Sequence, residues 1–271
     1  MQLVELQHIA GALASHDVAP FAISYDSVET LSAFAERNGI EYPLLADDGS
    51  NAIRRLGMVD EDLDAHHAAM GGTVRDDQRG VCYPGVFLLD EQGVVKDRRF
   101  QRNYRVRESG LSLLEQALNV SLPDMAPTTT AEGERVRITA HLDSPTYWRY
   151  QRLRAVVDVE VAPGYHVYAP PAPSDYVSLG VEVAAEGAEV GEPVWPAGKP
   201  FKLEGLDEEL RVYEGSVRVD VPFEFIIQRG EPMGDRTVTL TVRYQACDAG
   251  TCYRPEEASF QLSVKERPSV E

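Results

Sequence analysis

A Pro- and Thr-rich segment at residues 123–133 (PDMAPTTTAEG) divides the chain into two halves with different hydrophobic periodicity. Before this segment apolar residues recur at helical spacing between short apolar runs, and after it they alternate with polar residues. Proline, threonine and glycine in this density favour a linker over a helix or a central strand. We therefore predict two domains of different fold class, at residues 1–122 and 134–267, with 268–271 as a tail.

The first half has the element order that is typical of an α/β layer. The predicted elements are a helix at 1–14, a strand at 19–25, a helix at 27–36, a short helix at 51–56, a hairpin of strands at 85–90 and 94–100, and a helix at 107–118. His66 and His67 lie in a segment that we interpret as a solvated loop, because these histidines lack the i, i+4 spacing of paired zinc ligands.

The second half consists of short alternating runs separated by turn residues. The predicted strands cover residues 136–142, 153–161, 177–183, 190–195, 216–227, 237–244 and 258–264. Many strands without helices between them predict an antiparallel β-sandwich.

Two of the three cysteines, Cys247 and Cys252, directly follow the predicted strand at 237–244. Asp248-Ala249-Gly250 between them is typical of a tight turn, which would bring the two sulfur atoms within bonding range. A structural disulfide that closes so small a ring would stabilise the protein by only about 2 kcal/mol. A metal site would need more ligands than two thiolates. We favour a redox-active pair and keep the structural disulfide as the alternative.

The net charge limits the classes of partner. The formal charge of −18 argues against binding to nucleic acid or to an anionic membrane surface, because both would repel the protein. No apolar run reaches the roughly 18 residues that a membrane-spanning helix needs. The first residues, MQLVE, do not resemble a signal peptide, since they lack a basic region and an apolar region.

The run YQACDAGTCYRPEEASFQLSV at 244–264 resembles the end of the N-terminal periplasmic domain of the thiol:disulfide interchange protein DsbD. GYHVYAPPAP at 164–173 and VYEGSVRVDVPF at 212–223 support this resemblance, which extends over about residues 130–265. It implies an immunoglobulin-like sandwich in which Cys247 and Cys252 exchange electrons with a thioredoxin-like protein or a disulfide-bonded client. It also implies a periplasmic or other extracytoplasmic location and no cofactor or metal.

The same resemblance predicts the surroundings of the cysteines. His166 and Tyr168 match a position where aromatic residues line the active-site pocket, and a strand there would place both on one face. An exposed pair on an edge strand is the alternative. Val212, Tyr213 and Glu214 match the cap loop that shields the disulfide, although valine stands here where an aromatic residue is usual.

The first half resembles the redoxins of the AhpC/TSA group, which have a thioredoxin-like fold. The resemblance depends on FAISYDSVETLSAFAERNGIEYPLLAD at 21–47 and YPGVFLLDEQGVVKDRRF at 83–100, and it predicts a cis peptide bond at Pro84. In redoxins a strand and the catalytic cysteine precede the helix with which this chain begins. We therefore expect a truncated thioredoxin-like domain that is loosely held or oligomerises and performs no dithiol chemistry. Cys82 is either an accessory thiol in a longer chain or a small residue at a strand start.

The leading hypothesis is a thiol:disulfide oxidoreductase module that passes electrons between a thioredoxin-like donor and an oxidised extracytoplasmic client through Cys247 and Cys252. One alternative is a peroxiredoxin-like peroxide reductase in a longer chain, with the β domain as a partner-binding module. Another is a binding sandwich without catalytic activity whose disulfide is structural. A reduction potential below about −300 mV would favour the structural disulfide.

Overall fold

The structure is a computed structural model that describes residues 2–69, 71–100, 107–108, 127–148, 151–202, 210–227 and 231–267. The chain divides into two compact units, Met1–Leu122 and Pro123–Glu271. The predicted helix at 107–118 lies outside the described residues, apart from Arg107–Glu108, which form a short strand.

The first unit alternates short helices and strands. Its helices are α1 (Gln2–His8), α2 (Ala10–Ser15), α3 (Val28–Asn38), α4 (Asn51–Arg55) and α5 (Leu63–Ala69). Its strands are β1 (Ala22–Ser24), β2 (Leu44–Ala46), β3 (Gly85–Leu89), β4 (Val95–Phe100) and β5 (Arg107–Glu108). β1 pairs with β2 in parallel and β3 pairs with β4 as the predicted antiparallel hairpin. The α/β character predicted for this half is confirmed.

Local sequence signals account for the bounds of α3. The hydroxyl oxygen of Ser27 accepts a hydrogen bond of 3.2 Å from the backbone N–H of Thr30, which is the side-chain cap expected at a helix start. Gly39 ends the helix with a φ of 62°, a left-handed conformation that glycine adopts without steric cost. The predicted start and end of this helix therefore follow from the residues that flank it.

Two predictions for the first unit were wrong. The helix expected at 1–14 is two helices, because Ile9 between them has φ −101° and ψ 3° and does not continue α1. The segment around His66, interpreted as a loop, forms α5. The buried Asp60 organises this region, since its carboxylate accepts a hydrogen bond of 2.7 Å from Tyr83 Oη and lies 3.0 Å from His66 Nδ1. The composition did not show this tertiary contact.

The second unit consists of strands. They are β6 (Thr129–Glu132), β7 (Val136–Leu142), β8 (Thr146–Tyr147), β9 (Gln151–Val161), β10 (His166–Tyr168), β11 (Gly180–Ala185), β12 (Ala188–Val190), β13 (Lys199–Phe201), β14 (Leu210–Tyr213), β15 (Gly215–Phe225), β16 (Arg236–Tyr244), β17 (Ala246–Cys247) and β18 (Glu256–Glu266). The sheets run β12-β15-β9-β7-β6, β11-β16-β18-β8 and β13-β14-β10-β17, and none of them closes into a barrel.

One hydrophobic core unites the two larger sheets of the second unit. From Val217 in β15 and from Val238 in β16 onward, every second residue is buried, as a strand with one face toward a core requires. Val157 and Val219 from one sheet and Leu240 and Leu262 from the other belong to the same cluster of buried side chains. The predicted antiparallel β-sandwich is therefore confirmed. The third sheet, which the sequence periodicity did not predict, carries the cysteines.

Candidate functional site

The site is built around a disulfide between Cys247 and Cys252. Cys247 ends the two-residue strand β17, and the chain then turns so that Cys252 forms an antiparallel bridge with it. The Cα atoms of the two cysteines are 4.1 Å apart. The backbone N–H of Asp248 donates a hydrogen bond of 2.9 Å to the carbonyl of Thr251, which closes the turn. The predicted return of the chain between the cysteines is observed.

Asp248 holds the loop between the cysteines in shape. Its Oδ1 atom accepts hydrogen bonds from the backbone N–H groups of Gly250 at 2.9 Å and Thr251 at 2.8 Å. Its Oδ2 atom accepts one of 2.8 Å from the Tyr253 hydroxyl. These hydrogen bonds hold the pKa of the Asp248 carboxyl below its usual value, and the bond from the Gly250 N–H has the largest effect. The loop therefore carries a carboxylate that is ionised at neutral pH.

Tyr253 anchors the end of this loop to the sandwich. The Arg135 guanidinium lies 3.8 Å from the centre of the Tyr253 ring and 5.7 Å from that of Tyr165, within the range of cation–π attraction. Gln245 Nε2 donates a hydrogen bond of 2.7 Å to the Tyr253 carbonyl. Sequence reasoning missed Arg135 and Tyr253, although the aromatic residue directly after the second cysteine was a usable signal.

The two sulfur-bearing residues differ in exposure. Cys247 is 1% exposed and belongs to a small apolar cluster with Tyr168, Leu210 and Val212. Cys252 is exposed to solvent. Cys252 is therefore the residue of the pair that solvent reaches, whereas apolar side chains surround Cys247.

Strand β10 forms the wall beside the disulfide. His166 is the register partner of Cys247, and Tyr168 Oη lies 3.6 Å from Cys252 Sγ. Both residues are buried, and β10 lies between β14 and β17, so the alternative of an exposed edge-strand pair was wrong. Burial, with a smaller effect of Tyr176, raises the pKa of Tyr168. Tyr168 therefore stays a neutral phenol, which can donate a hydrogen bond to sulfur.

His166 packs between aromatic rings. Its ring centre is 4.4 Å from that of Phe201 and 5.5 Å from that of Tyr168. Burial is the main cause of a lowered His166 pKa, against which the charges of Glu214 and Asp248 act. Phe201 comes from β13, a short strand without a periodic signal, so the sequence did not indicate its place beside the site.

Two of the three residues predicted as a cap loop, Val212 and Tyr213, lie in a strand. Val212 and Tyr213 end β14, which pairs with β10 and β13 in the middle of the sheet. Val212 is buried, and the Tyr213 hydroxyl donates a hydrogen bond of 2.8 Å to the Pro196 carbonyl. Glu214 follows the strand, is exposed, and lies 3.0 Å from Lys199 Nζ. Ladder hydrogen bonds on both sides give this segment partners that a loop would lack.

Pro84 and Cys82, predicted as site residues, lie in the first unit. The cis peptide bond of the described residues joins Pro170 and Pro171, so the cis bond predicted at Pro84 is not observed. The trans and cis forms before proline differ by only about 0.5–1 kcal/mol, and the surrounding structure decides between them. Cys82 forms a β-bridge with Val59 and is partly exposed.

Comparison with known proteins identifies two family matches. Residues 139–264 match the family "Thiol:disulfide interchange protein DsbD, N-terminal", and residues 1–98 match the AhpC/TSA family. Both predicted resemblances are confirmed. The β-sandwich of the second unit is thus similar to the DsbD N-terminal domain, and the α/β first unit is similar to the redoxins. The family match and the Cys247–Cys252 disulfide together support a thiol:disulfide exchange module.

One relative is the thiol:disulfide interchange protein DsbD of Pseudoalteromonas atlantica, 30% identical over 126 residues. The alignment covers 43% of this chain and 18% of the relative, so the chain spans less than a fifth of that protein. Among solved structures, the N-terminal periplasmic domain of ScsB from Proteus mirabilis has a TM-score of 0.35 at 13% identity, over 54% of this chain and 49% of that one. The yeast GGA1 GAE domain has a TM-score of 0.28 at 13% identity, over 50% and 98%. Among the helices of the described residues, none has the length and apolar character needed to cross a bilayer.

Proposed function

We propose that the second unit is a thiol:disulfide exchange module that passes electrons from a thioredoxin-like donor to an oxidised extracytoplasmic client. The observation that carries this proposal is the unequal exposure of the two cysteines: Cys252 faces solvent and Cys247 is 1% exposed. A disulfide that only held the loop would not require one sulfur to be accessible. We assign the module to residues 134–267, after the linker at 123–133.

The proposed exchange has two halves. In the first half, a donor thiolate attacks Cys252 Sγ, the Cys247–Cys252 bond breaks, and its electron pair leaves on Cys247 as a thiolate. The donor's second thiol then releases Cys252, so the donor becomes oxidised and both cysteines become reduced. In the second half, the Cys252 thiolate attacks the client disulfide, and Cys247 displaces the reduced client by re-forming the internal disulfide. No cofactor takes part.

The side chains around the disulfide would assist these steps. Tyr168 Oη, 3.6 Å from Cys252 Sγ, can donate a hydrogen bond to the Cys252 thiolate. Val212 belongs to the apolar cluster that covers Cys247, while Tyr213 and Glu214 border the same sheet. We propose these residues and His166 as the walls of the pocket that a partner enters. The match to the DsbD N-terminal family supports a thioredoxin-like partner and a periplasmic location.

The competing function is a binding sandwich with a structural disulfide. A reduction potential measured by equilibration with glutathione or dithiothreitol separates the two. A value above about −300 mV supports exchange, and a lower value contradicts it.

A trapping experiment then tests the roles of the two cysteines. In a Cys82→Ser background, we expect the Cys247→Ser variant to form a mixed disulfide with oxidised glutathione through Cys252. The matched Cys252→Ser variant should react at least about tenfold more slowly, because buried thiols are inert. Intact mass spectrometry measures both rates. Equal rates would show that burial does not distinguish the cysteines and would contradict the assigned order.

A further inference from the structure

The Nε2 atom of His166 is a buried polar atom without a hydrogen-bond partner among the described residues. His166 is 5% exposed, so solvent does not supply the missing partner readily. A buried polar group in this state costs free energy, and such a group in a folded protein calls for a physical explanation.

The position of His166 in the sheet suggests what the partner is. His166 and Cys247 are directly opposite each other on the antiparallel strands β10 and β17. Side chains of such a pair stand on the same face, with Cβ atoms about 4.5–5.5 Å apart. In the disulfide, the sulfur of Cys247 is a weak acceptor. After reduction it can become a thiolate, whose charged sulfur accepts a hydrogen bond from an imidazole N–H far more strongly.

The ionisable groups around His166 come from several elements. Tyr168 on β10 is a neutral phenol, and its hydroxyl is directed to Cys252. Glu214 after β14 lies 3.0 Å from Lys199 Nζ, next to β13, which carries Phe201. Asp248 after β17 accepts hydrogen bonds within its own loop. None of these contacts supplies a partner for Nε2, and a neutral imidazole can donate to a thiolate without adding a second buried charge.

We propose that His166 is a positioning residue whose Nε2–H donates a hydrogen bond to Cys247 Sγ when the disulfide is reduced. This inference rests on the proposed exchange reaction. When a donor thiolate attacks Cys252, the electron pair of the broken bond moves to Cys247, and the His166 N–H stabilises that charge. The two cysteines thus have separate donors, Tyr168 for Cys252 and His166 for Cys247. His166 makes the disulfide easier to reduce, since it stabilises only the reduced form.

The test uses the full chain with Cys82→Ser, so that one pair of thiols reacts. The reduction potential of wild type, His166→Phe and His166→Gln is measured by equilibration with dithiothreitol across a range of pH. Phenylalanine keeps the aromatic packing against Phe201 and removes the donor, while glutamine restores an N–H. His141→Phe is the matched control. His141 is also a buried histidine with a ring nitrogen that has no hydrogen-bond partner among the described residues, but it lies on β7 in another sheet.

We expect His166→Phe to lower the equilibrium constant for reduction at neutral pH by about tenfold, a shift of about 30 mV toward a more reducing potential. The pKa of the Cys247 thiol in the reduced protein should rise in this variant. His166→Gln should recover part of the potential, and His141→Phe should leave it unchanged. Circular dichroism confirms that each variant is folded.

The inference would be overturned if the equilibrium constant for reduction of His166→Phe lies within about twofold of the wild-type value and the thiol pKa is unchanged. An equal shift in His141→Phe would also overturn it, because the effect would then reflect a general loss of packing. If His166→Phe does not fold, His166→Asn is compared with His166→Gln instead. Asparagine is too short to place its N–H at the sulfur, so the two variants should differ in reduction potential and in the thiol pKa. Equal values would overturn the inference as well. A wild-type potential below about −300 mV contradicts the proposed function and not this inference, which depends on the difference between variants.

Discussion

The two units of the chain differ in how they bury their apolar side chains. In the second unit, strands from two sheets share one cluster of buried side chains. In the first unit, four of the five described strands form two separate pairs, β1 with β2 and β3 with β4. Among the described residues of the first unit, the exposed large apolar ones are Phe21, Ile23, Val28, Leu45, Leu56, Leu89, Val94 and Val95. A two-stranded sheet cannot bury a face by itself, so comparable hydrophobic content yields unequal cores.

The register of β1 and β2 shows this difference most clearly. Ile23 and Leu45 are partners across the parallel pair, and they are 37% and 48% exposed. Val157 and Val219 are partners across β9 and β15, and both are fully buried. We conclude that the stability of the second unit comes from sheet-on-sheet packing, which the described part of the first unit does not have.

The strongest test of this comparison is a large-to-small substitution in each core. Leu240→Ala should destabilise the second unit by about 2–5 kcal/mol, because it leaves a cavity in a closely packed cluster. Urea unfolding followed by tryptophan fluorescence reports on this unit, since both tryptophans, Trp148 and Trp195, lie in it. Ile53→Ala in the first unit is the control and should leave this transition unchanged. A shared loss of stability in both variants would show that the units unfold as one.

Limited proteolysis should reveal a smaller difference between the units, in their rates of cleavage. We expect residues 1–122 to be cleaved at least about tenfold faster than residues 134–267, because local opening is easier where few apolar contacts are buried. Mass spectrometry of the fragments and sedimentation of the intact chain measure cleavage and self-association. A protease-resistant, monomeric fragment of residues 1–122 would show that this unit is stable by itself and would break the comparison.

A helix cap tests whether local signals matter more where the core is small. Ser27→Ala should destabilise α3 by about 1 kcal/mol, since the N–H of Thr30 loses its side-chain acceptor. Far-UV circular dichroism is the measurement, because the helices of the described residues lie in the first unit. Ser15→Ala is the matched control, as the Ser15 hydroxyl donates to a carbonyl in its own helix. Equal effects of both substitutions would contradict a role for the cap.

The smallest expected effect concerns acid and the loop between the cysteines. The pKa of Asp248 in the folded protein is lower than its unfolded value of about 3.9. The stability that the ionised carboxylate contributes is therefore fully present above the unfolded pKa and is lost as the pH falls through the folded pKa. The Asp248 and Tyr253 signals in NMR should shift together in this acid range, while the sandwich core stays intact. Asp248→Asn should abolish this transition. Its persistence in Asp248→Asn would assign it to another carboxyl.

Prediction from sequence succeeded where local and periodic signals were strong. The bounds of β7 were predicted to the residue, and α3 followed from its two caps. The short strands β10, β13, β14 and β17 were beyond such signals, because two to four residues cannot show a period. Val212 and Tyr213, predicted in a cap loop, lie in β14 for the same reason, because the strand that pairs with them is distant in sequence.

The sequence by itself determined that the chain has two halves of different class and that Cys247 and Cys252 lie on one turn after a strand. These features depend on neighbouring residues, whose periodicity and turn chemistry are local. Only the tertiary structure decided which cysteine is exposed, that Tyr168 approaches Cys252, and that His166 stands opposite Cys247. Burial and register arise when strands from distant parts of the chain pair, and no local pattern encodes that pairing.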